Sequence, residues 1–171
     1  MIKYLTFSFA ISVISWIVGM VINAVLIKTE FYKKNLTKFN FITNENINRY
    51  IGIELFKWIT IHSFFRYFNP KLSVKKKIRP TELPELRNEM TIAEISHLIA
   101  FFFVNVFVLI KLIGGAYLFA LVILLVNIVM NLYPTLLQQQ NKRRIDKYGT
   151  MLAAREAHRI RTLSSVRATA Q

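Results

Sequence analysis

A glutamate and a histidine three residues apart, Glu94 and His97, stand inside an apolar stretch at residues 90–113. Asn105 lies farther along it. The next apolar stretch, residues 114–137, carries Asn127, Asn131 and Pro134 and runs into Gln138, Asn141, Lys142 and Arg144. Ionisable and amide side chains are costly in hydrocarbon and usually mark function there. At ~100° per residue, Glu94 and His97 are ~60° apart on one helix, and Asn105 falls ~20° from Glu94. With Asn131 as origin, Gln138 lies at ~−20°, Asn127 at ~−40°, Pro134 at ~−60° and Asn141 at ~−80°. Two polar stripes on neighbouring antiparallel helices would face each other and avoid lipid. An imidazole beside a carboxylate is a general base with an orienter. Amides donate to a developing oxyanion, and a guanidinium holds phosphate or carboxylate. The set suits acyl transfer to a hydroxyl. His97 is the expected base, Glu94 its orienter, and Gln138 or Asn141 the oxyanion donor. Arg144, with Lys142, is expected to hold the donor's anionic group. Asn105 and Asn127 are read as helix-to-helix hydrogen bonders, and Pro134 as a shaper of its helix. Neither a G-x-S-x-G elbow nor a His followed five residues later by Asp is present.

These side chains need a hairpin to bring them to one level, and the hydropathy supplies it. The chain has 171 residues, 54% of them hydrophobic, gathered in long blocks. Residues 5–27 contain no charge. About 20 apolar residues cross a bilayer core as helix. The block is longer than the apolar core of ~7–15 residues in a signal peptide, and no A-x-A-like site ends it. It reads as a retained first span. Gly114-Gly115 is the turn between spans two and three. The expected fold is an all-α integral membrane protein with three transmembrane helices plus one interfacial amphipathic helix. Residues 1–148 are expected to form the membrane domain. Residues 149–171 form a basic C-terminal tail, either native or an appended artificial extension.

The net charge is +14, and its distribution points to a membrane rather than to nucleic acid. Thirteen Lys and Arg fall in residues 28–87 and eight in residues 142–167, leaving only Lys3 and Lys111 elsewhere. Positive charge stays on the cytoplasmic side. Residues 28–89 and the C-terminus are therefore expected in the cytoplasm of a multi-pass cell-membrane protein, with the basic surfaces against anionic headgroups. The absence of cysteine excludes disulfides and thiolate chemistry, and three scattered histidines make no metal site. Residues 28–48 read as a solvated linker and Gly19 as incidental. Residues 49–69 are aromatic but charged, with Arg49, Glu54, Lys57, His62 and Arg66. They read as a helix in the interface, with a re-entrant or protein-packed segment as the alternative. Phe101, Phe102 and Phe103, with span one, are expected to line an acyl groove roofed by Trp58, Phe64 and Phe65.

Glu89, Ala93, Glu94 and His97 together resemble the E-x-x-x-A-E-x-x-H segment of the glycosyl-4,4'-diaponeurosporenoate acyltransferases. Asn131, Pro134, Gln138, Asn141 and Arg144 resemble that family's N-x-x-P-x-x-x-Q-x-x-N-R-x-R segment. The resemblance covers about residues 50–147. It departs at Lys142, where the family has arginine, and at a Trp-Lys pair whose nearest counterpart is Phe65-Arg66. It implies a small membrane acyltransferase that esterifies a sugar hydroxyl of a glycosylated carotenoid. It also implies Glu89, Glu94, His97, Asn131, Gln138, Asn141 and Arg144 as site residues, Glu89 and Asn131 on the substrate side. No cofactor is expected beyond the acyl donor, which is acyl-CoA, acyl carrier protein or phospholipid. The expected partners are membrane lipid and a lipid-linked or glycosylated acceptor. The competing reading is a non-catalytic membrane subunit or scaffold whose polar stripe binds a partner helix. A cavity beside His97 favours the enzyme; a close-packed seam favours the scaffold. Cysteines placed at positions 75 and 115 should be labelled by an impermeant maleimide from opposite faces of the membrane, and labelling of both from one face rules out this topology.

Overall fold

The computed structural model describes residues 1–39, 50–62 and 79–169. Arg49, Phe64, Phe65, Arg66, Tyr67 and the Lys75-Lys76-Lys77 run lie outside them. The described residues are helical and contain no strand. In chain order they form α1 (Ile2–Leu26), α2 (Glu30–Asn35), a 3-10 turn at Leu36–Lys38, and α3 (Ile53–His62). A 3-10 turn at Pro80–Glu82 then leads into α4 (Leu83–Ile113). Finally α5 (Tyr117–Asn127) joins α6 (Tyr133–Thr169) through a π-helical turn at Ile128–Leu132. Three stretches are long and apolar enough to cross a membrane: Ile2–Leu26, Pro80–Ile113 and Tyr117–Ser164. In hydrocarbon every backbone polar group must be satisfied within the segment, so such runs become helices. The expectation of an all-α membrane protein with three spans holds.

Local chemistry marks the ends. Thr29 caps α2, its hydroxyl accepting from the Tyr32 N–H at 3.2 Å. At the start of α4 the Glu82 carboxylate accepts the Arg79 N–H at 3.2 Å. Pro84 follows in the first turn, where its missing N–H costs nothing. At the other end the Ala116 N–H reaches the Lys111 carbonyl at 2.9 Å, and the Gly115 N–H reaches Leu112 at 3.0 Å. This closure needs a residue in the left-handed region, and Gly115 supplies it with φ +72.

Span α1 packs chiefly on α4, and α4 packs on α5 and α6. Tyr4 stacks on Phe119 with centroids 4.4 Å apart, and Phe7 meets both Phe107 and Phe119. The N-terminus and the Gly114-Gly115 turn therefore share one end of the bundle. Ile11, Val104, Val108, Ala120 and Ile123 form the apolar core beneath them. At the opposite end Arg87 grips Asp146 through two bonds of 2.6 and 3.2 Å. Helix α6 continues through Tyr148 and Gly149 without a break.

The buried face of α1 is Ser8, Ile11, Ser12, Ser15, Gly19 and Asn23, most of them small. Small residues let helix backbones approach closely. A Cβ on Gly19 would overlap the Ser96 carbonyl oxygen, so Gly19 is a contact and not incidental; Ser15, four positions earlier, shares its face. The linker reading also needs correction where it is described. Tyr32 is 2% exposed, and the Phe39 carbonyl accepts from Lys142 Nζ at 3.2 Å. Residues 29–39 dock on the bundle because Tyr32 and Phe39 reach groups on α1, α4 and α6. Helix α3 packs Ile53 against Leu136 and Leu137 and leaves Leu55, Trp58 and Ile59 exposed. That division suits a helix with one face on protein and one in the interface.

Replacing Gly19 by Val should lower stability by about 1–3 kcal/mol through overpacking. It should read out as a lower unfolding temperature in detergent, while Gly149→Ala, with open space around it, leaves that temperature unchanged.

Candidate active site

Helices α1, α3, α4 and α6 with the π-turn enclose a cavity of about 540 Å³. That size falls within the ~300–1,000 Å³ of small-molecule sites. Its walls are mostly apolar. Val13, Ile17 and Met20 line it from α1, and Phe56 from α3. Ile92 and Ala93 line it from α4, with Val129, Met130, Pro134 and Leu137 opposite. Its polar groups are few: Trp16, Thr60, Glu89, Ser96, His97 and Gln138. Val13, Ile17, Met20 and Val129 are each about half exposed. In a bilayer that flank faces lipid.

The site is built around a proline. Pro134 has no N–H to give the carbonyl one turn earlier. The chain widens there into the π-turn, and the Tyr133 N–H reaches back to the Ile128 carbonyl. Such π-bulges recur at functional sites. The Met130 carbonyl is left for a side chain, and Trp16 Nε1 approaches it at 3.4 Å while donating to Asn131 Oδ1 at 3.0 Å. Asn131 Nδ2 donates to Asn127 Oδ1 at 2.8 Å and to Ser15 Oγ at 3.3 Å. Asn127 Nδ2 in turn donates to the Phe101 carbonyl at 3.0 Å. His97 stands beside Asn131 and meets the Trp16 ring edge-on at 6.1 Å. Its Nδ1 is buried and takes no hydrogen bond among the described residues.

The expected constellation divides into three groups around α6, because Gln138, Gln139 and Gln140 point about 100° apart. Gln138 lines the cavity with His97 and Glu89. Gln139 Nε2 donates to Glu94 Oε1 at 2.8 Å, and Lys142 Nζ pairs with Glu94 Oε2 at 2.5 Å. Gln140 and Arg144 both bind Glu54 Oε1, at 2.8 and 2.7 Å. Glu94 therefore does not line the cavity or orient His97. Sixty degrees on α4 is enough to turn His97 toward Trp16 of α1 and Glu94 toward Gln139 and Lys142 of α6. Lys142 is 4% exposed and braces Glu94 instead of facing a donor. Asn141 is buried off the cavity, and its Nδ2 finds no partner among the described residues. Arg144 stays half exposed at the surface. Asn105 is partly buried, and it lies outside the cavity together with Phe101, Phe102 and Phe103. Phe102 faces outward and Phe103 packs on Phe107. Trp58 is exposed; Phe56 and Thr60 take the place foreseen for it.

Around these groups the field is uneven. Burial pushes the Tyr32 phenol above its usual range, and the Glu94 carboxylate adds to the shift. Burial lowers the Lys57 ammonium below its ordinary value, with Arg144 acting in the same direction and Glu54 opposing. Among the described residues no group of three His, Cys, Asp or Glu could hold a metal ion.

The family model for glycosyl-4,4'-diaponeurosporenoate acyltransferases matches residues 28–150. The chain belongs to this family. No curated protein matches the chain, and no solved structure does. As a glycosyl-4,4'-diaponeurosporenoate acyltransferase family member it is a membrane acyltransferase of carotenoid biosynthesis. The matched stretch holds Glu89, His97 and Gln138 but begins after α1, which supplies Trp16 and a whole wall of the cavity. Trp16 was missed in the sequence, yet it carries a signal. It sits mid-span, not at the interface where tryptophans gather, and its N–H there must find a protein partner.

Removing one partner of a buried ion pair costs about 3–5 kcal/mol. Lys142→Ala should unfold at markedly lower denaturant concentration than wild type, followed by tryptophan fluorescence in detergent. Lys142→Met combined with Glu94→Gln should recover most of the loss.

Proposed function

We propose that the cavity holds the acyl chain of an activated donor and that His97 drives its transfer to a hydroxyl of a glycosylated or lipid-linked acceptor. The observation that carries this reading is the partly exposed imidazole of His97 on the wall of an apolar cavity that Gln138 also lines. Nδ1 is buried away from that space, so Nε2 is the nitrogen that would accept from a substrate hydroxyl. The imidazole takes the hydroxyl proton as that oxygen attacks the donor's carbonyl carbon. The tetrahedral oxyanion collapses, the bond to the donor's leaving group breaks, and the leaving group takes the proton from the imidazolium.

Gln138 is the oxyanion donor in this scheme. Helical side chains lean toward the N-terminus of their helix. Helix α4 runs into the membrane from the basic end and α6 runs out, so His97 and Gln138 lean toward each other across the cavity. Asn141, off the cavity, is not part of the step. Glu89 lines the cavity toward the basic end of the bundle and meets the acceptor's sugar hydroxyls. Arg144, at the surface beyond, meets the anionic part of the donor. The basic end is the cytoplasmic one in this reading, which the charge distribution supports. The lipid-facing flank of Val13, Ile17 and Met20 admits the acyl chain sideways from the bilayer.

His97→Ala should lower kcat by about 10²-fold or more, measured as ester formation by purified protein in nanodiscs. Full activity in that variant removes the base assignment. Running the assay with acyl-CoA, acyl carrier protein and phospholipid donors separates the three sources. Ile17→Trp and Met20→Trp should shift preference to shorter acyl chains. An unchanged chain-length profile across both variants would show that the chain lies elsewhere.

A further inference from the structure

The orientation of an amide is settled when its neighbours allow only one role. The indole Nε1–H of Trp16 only donates, and the backbone carbonyl of Phe101 only accepts. Between these two ends run Asn131 and Asn127. Since Asn127 gives its Nδ2 to Phe101, at 3.0 Å, it must turn its oxygen to Asn131. Asn131 must then give Nδ2 to Asn127, at 2.8 Å. Its Oδ1 is left facing Trp16, which donates to it at 3.0 Å. Every member of the chain points one way, and reversing either amide would break a bond at both of its ends. Asn127 and Asn131 are fully buried, so water cannot replace those bonds.

His97 stands beside this oxygen-first amide. Which nitrogen of a neutral imidazole carries the proton is set by what the other groups around the ring offer. An amide oxygen holds the N–H of the nitrogen that faces it and leaves the lone pair on the other. An amide turned nitrogen-first would pull the lone pair away from the substrate. We propose that Trp16 is a positioning residue for the transfer: its N–H, together with the Phe101 end of the chain, holds Asn131 oxygen-first, and the two ends together keep the basic nitrogen of His97 turned to the cavity. The inference rests on the reading of His97 as base. It makes span one, outside the stretch that matches the family, part of the working site.

The test uses full-length protein in nanodiscs carrying His62→Gln and His158→Gln. Both histidines are exposed and outside the cavity. His97 is then the one remaining histidine of three, and its 15N spectrum reports the tautomer directly. The parent should show one neutral tautomer. Trp16→Phe, which keeps a ring but loses the N–H, should show both. Its kcat should fall at least about tenfold with KM for the donor unchanged. Asn127→Ala releases the other end of the chain and should redistribute the tautomers in the same way. An unchanged tautomer ratio in a folded Trp16→Phe or Asn127→Ala protein overturns the proposal, and so does a redistribution with full kcat. His97→Ala is assayed in parallel. If it retains activity the base assignment falls, while the tautomer ratios still decide whether Trp16 sets the imidazole.

Discussion

A polar side chain between membrane helices must find its partner in the protein, since the surrounding hydrocarbon offers none. This constraint shapes the whole bundle. Glu94 fixes the rotation of α6 against α4, because only one setting gives its two oxygens to Gln139 and Lys142. Asn23 fixes α1 against α4 by donating to the Ile92 carbonyl and Ser96 Oγ, both at 2.9 Å. Asn131 ties α1 to the π-turn through Ser15 and Trp16. Van der Waals packing alone would let these helices slide, since lipid tails are as apolar as leucine. The polar seams select one register.

That register leaves a gap. Small residues at Ser12, Ser15 and Gly19 draw α1 close to its neighbours, while the adjacent stripe of Val13, Ile17 and Met20 stands off as a wall. The π-turn at Ile128–Leu132 widens α6 at the same level. Close approach on one side and a widened helix on the other open the cavity between them. The bundle is thus tied by closed hydrogen-bonded seams and also carries an open site. The choice between scaffold and enzyme assumed that these exclude each other. Here the seams build the walls that keep the cavity open.

Much of this was legible in the sequence. Three spans, the Gly114-Gly115 turn and the polar faces of spans two and three follow from hydropathy and helical period. His97, Gln138 and Glu89 do line one cavity. Other parts were not legible, for definite reasons. Helical period places Glu94 and His97 on one face, but a face ~60° wide meets two neighbouring helices, and the period cannot say which side chain meets which. Lys142, Asn141 and Arg144 share the face or the level of Gln138, yet each finds a different environment across the rotation of α6. Trp16 was hidden because its partner lies 115 residues away. The docking of residues 29–39 depends on Tyr32 and the Phe39 carbonyl, and neither carries a local pattern.

The division of carboxylates has a chemical consequence. A glutamate in direct contact with His97 would hold an imidazolium strongly and make it slow to return its proton. Glu94 is kept away by the ammonium of Lys142 and the amide of Gln139. The group beside the imidazole is instead the neutral amide of Asn131, which adds no charge. For the base proposed at His97, which would take a proton from a hydroxyl and then release it to a leaving group, a neutral neighbour keeps both steps within reach. The polar residues of spans two and three therefore serve two ends. Glu94 and Lys142 are sequestered in a pair that fixes the bundle, while Asn127 and Asn131, with Trp16, form the neutral chain beside the imidazole.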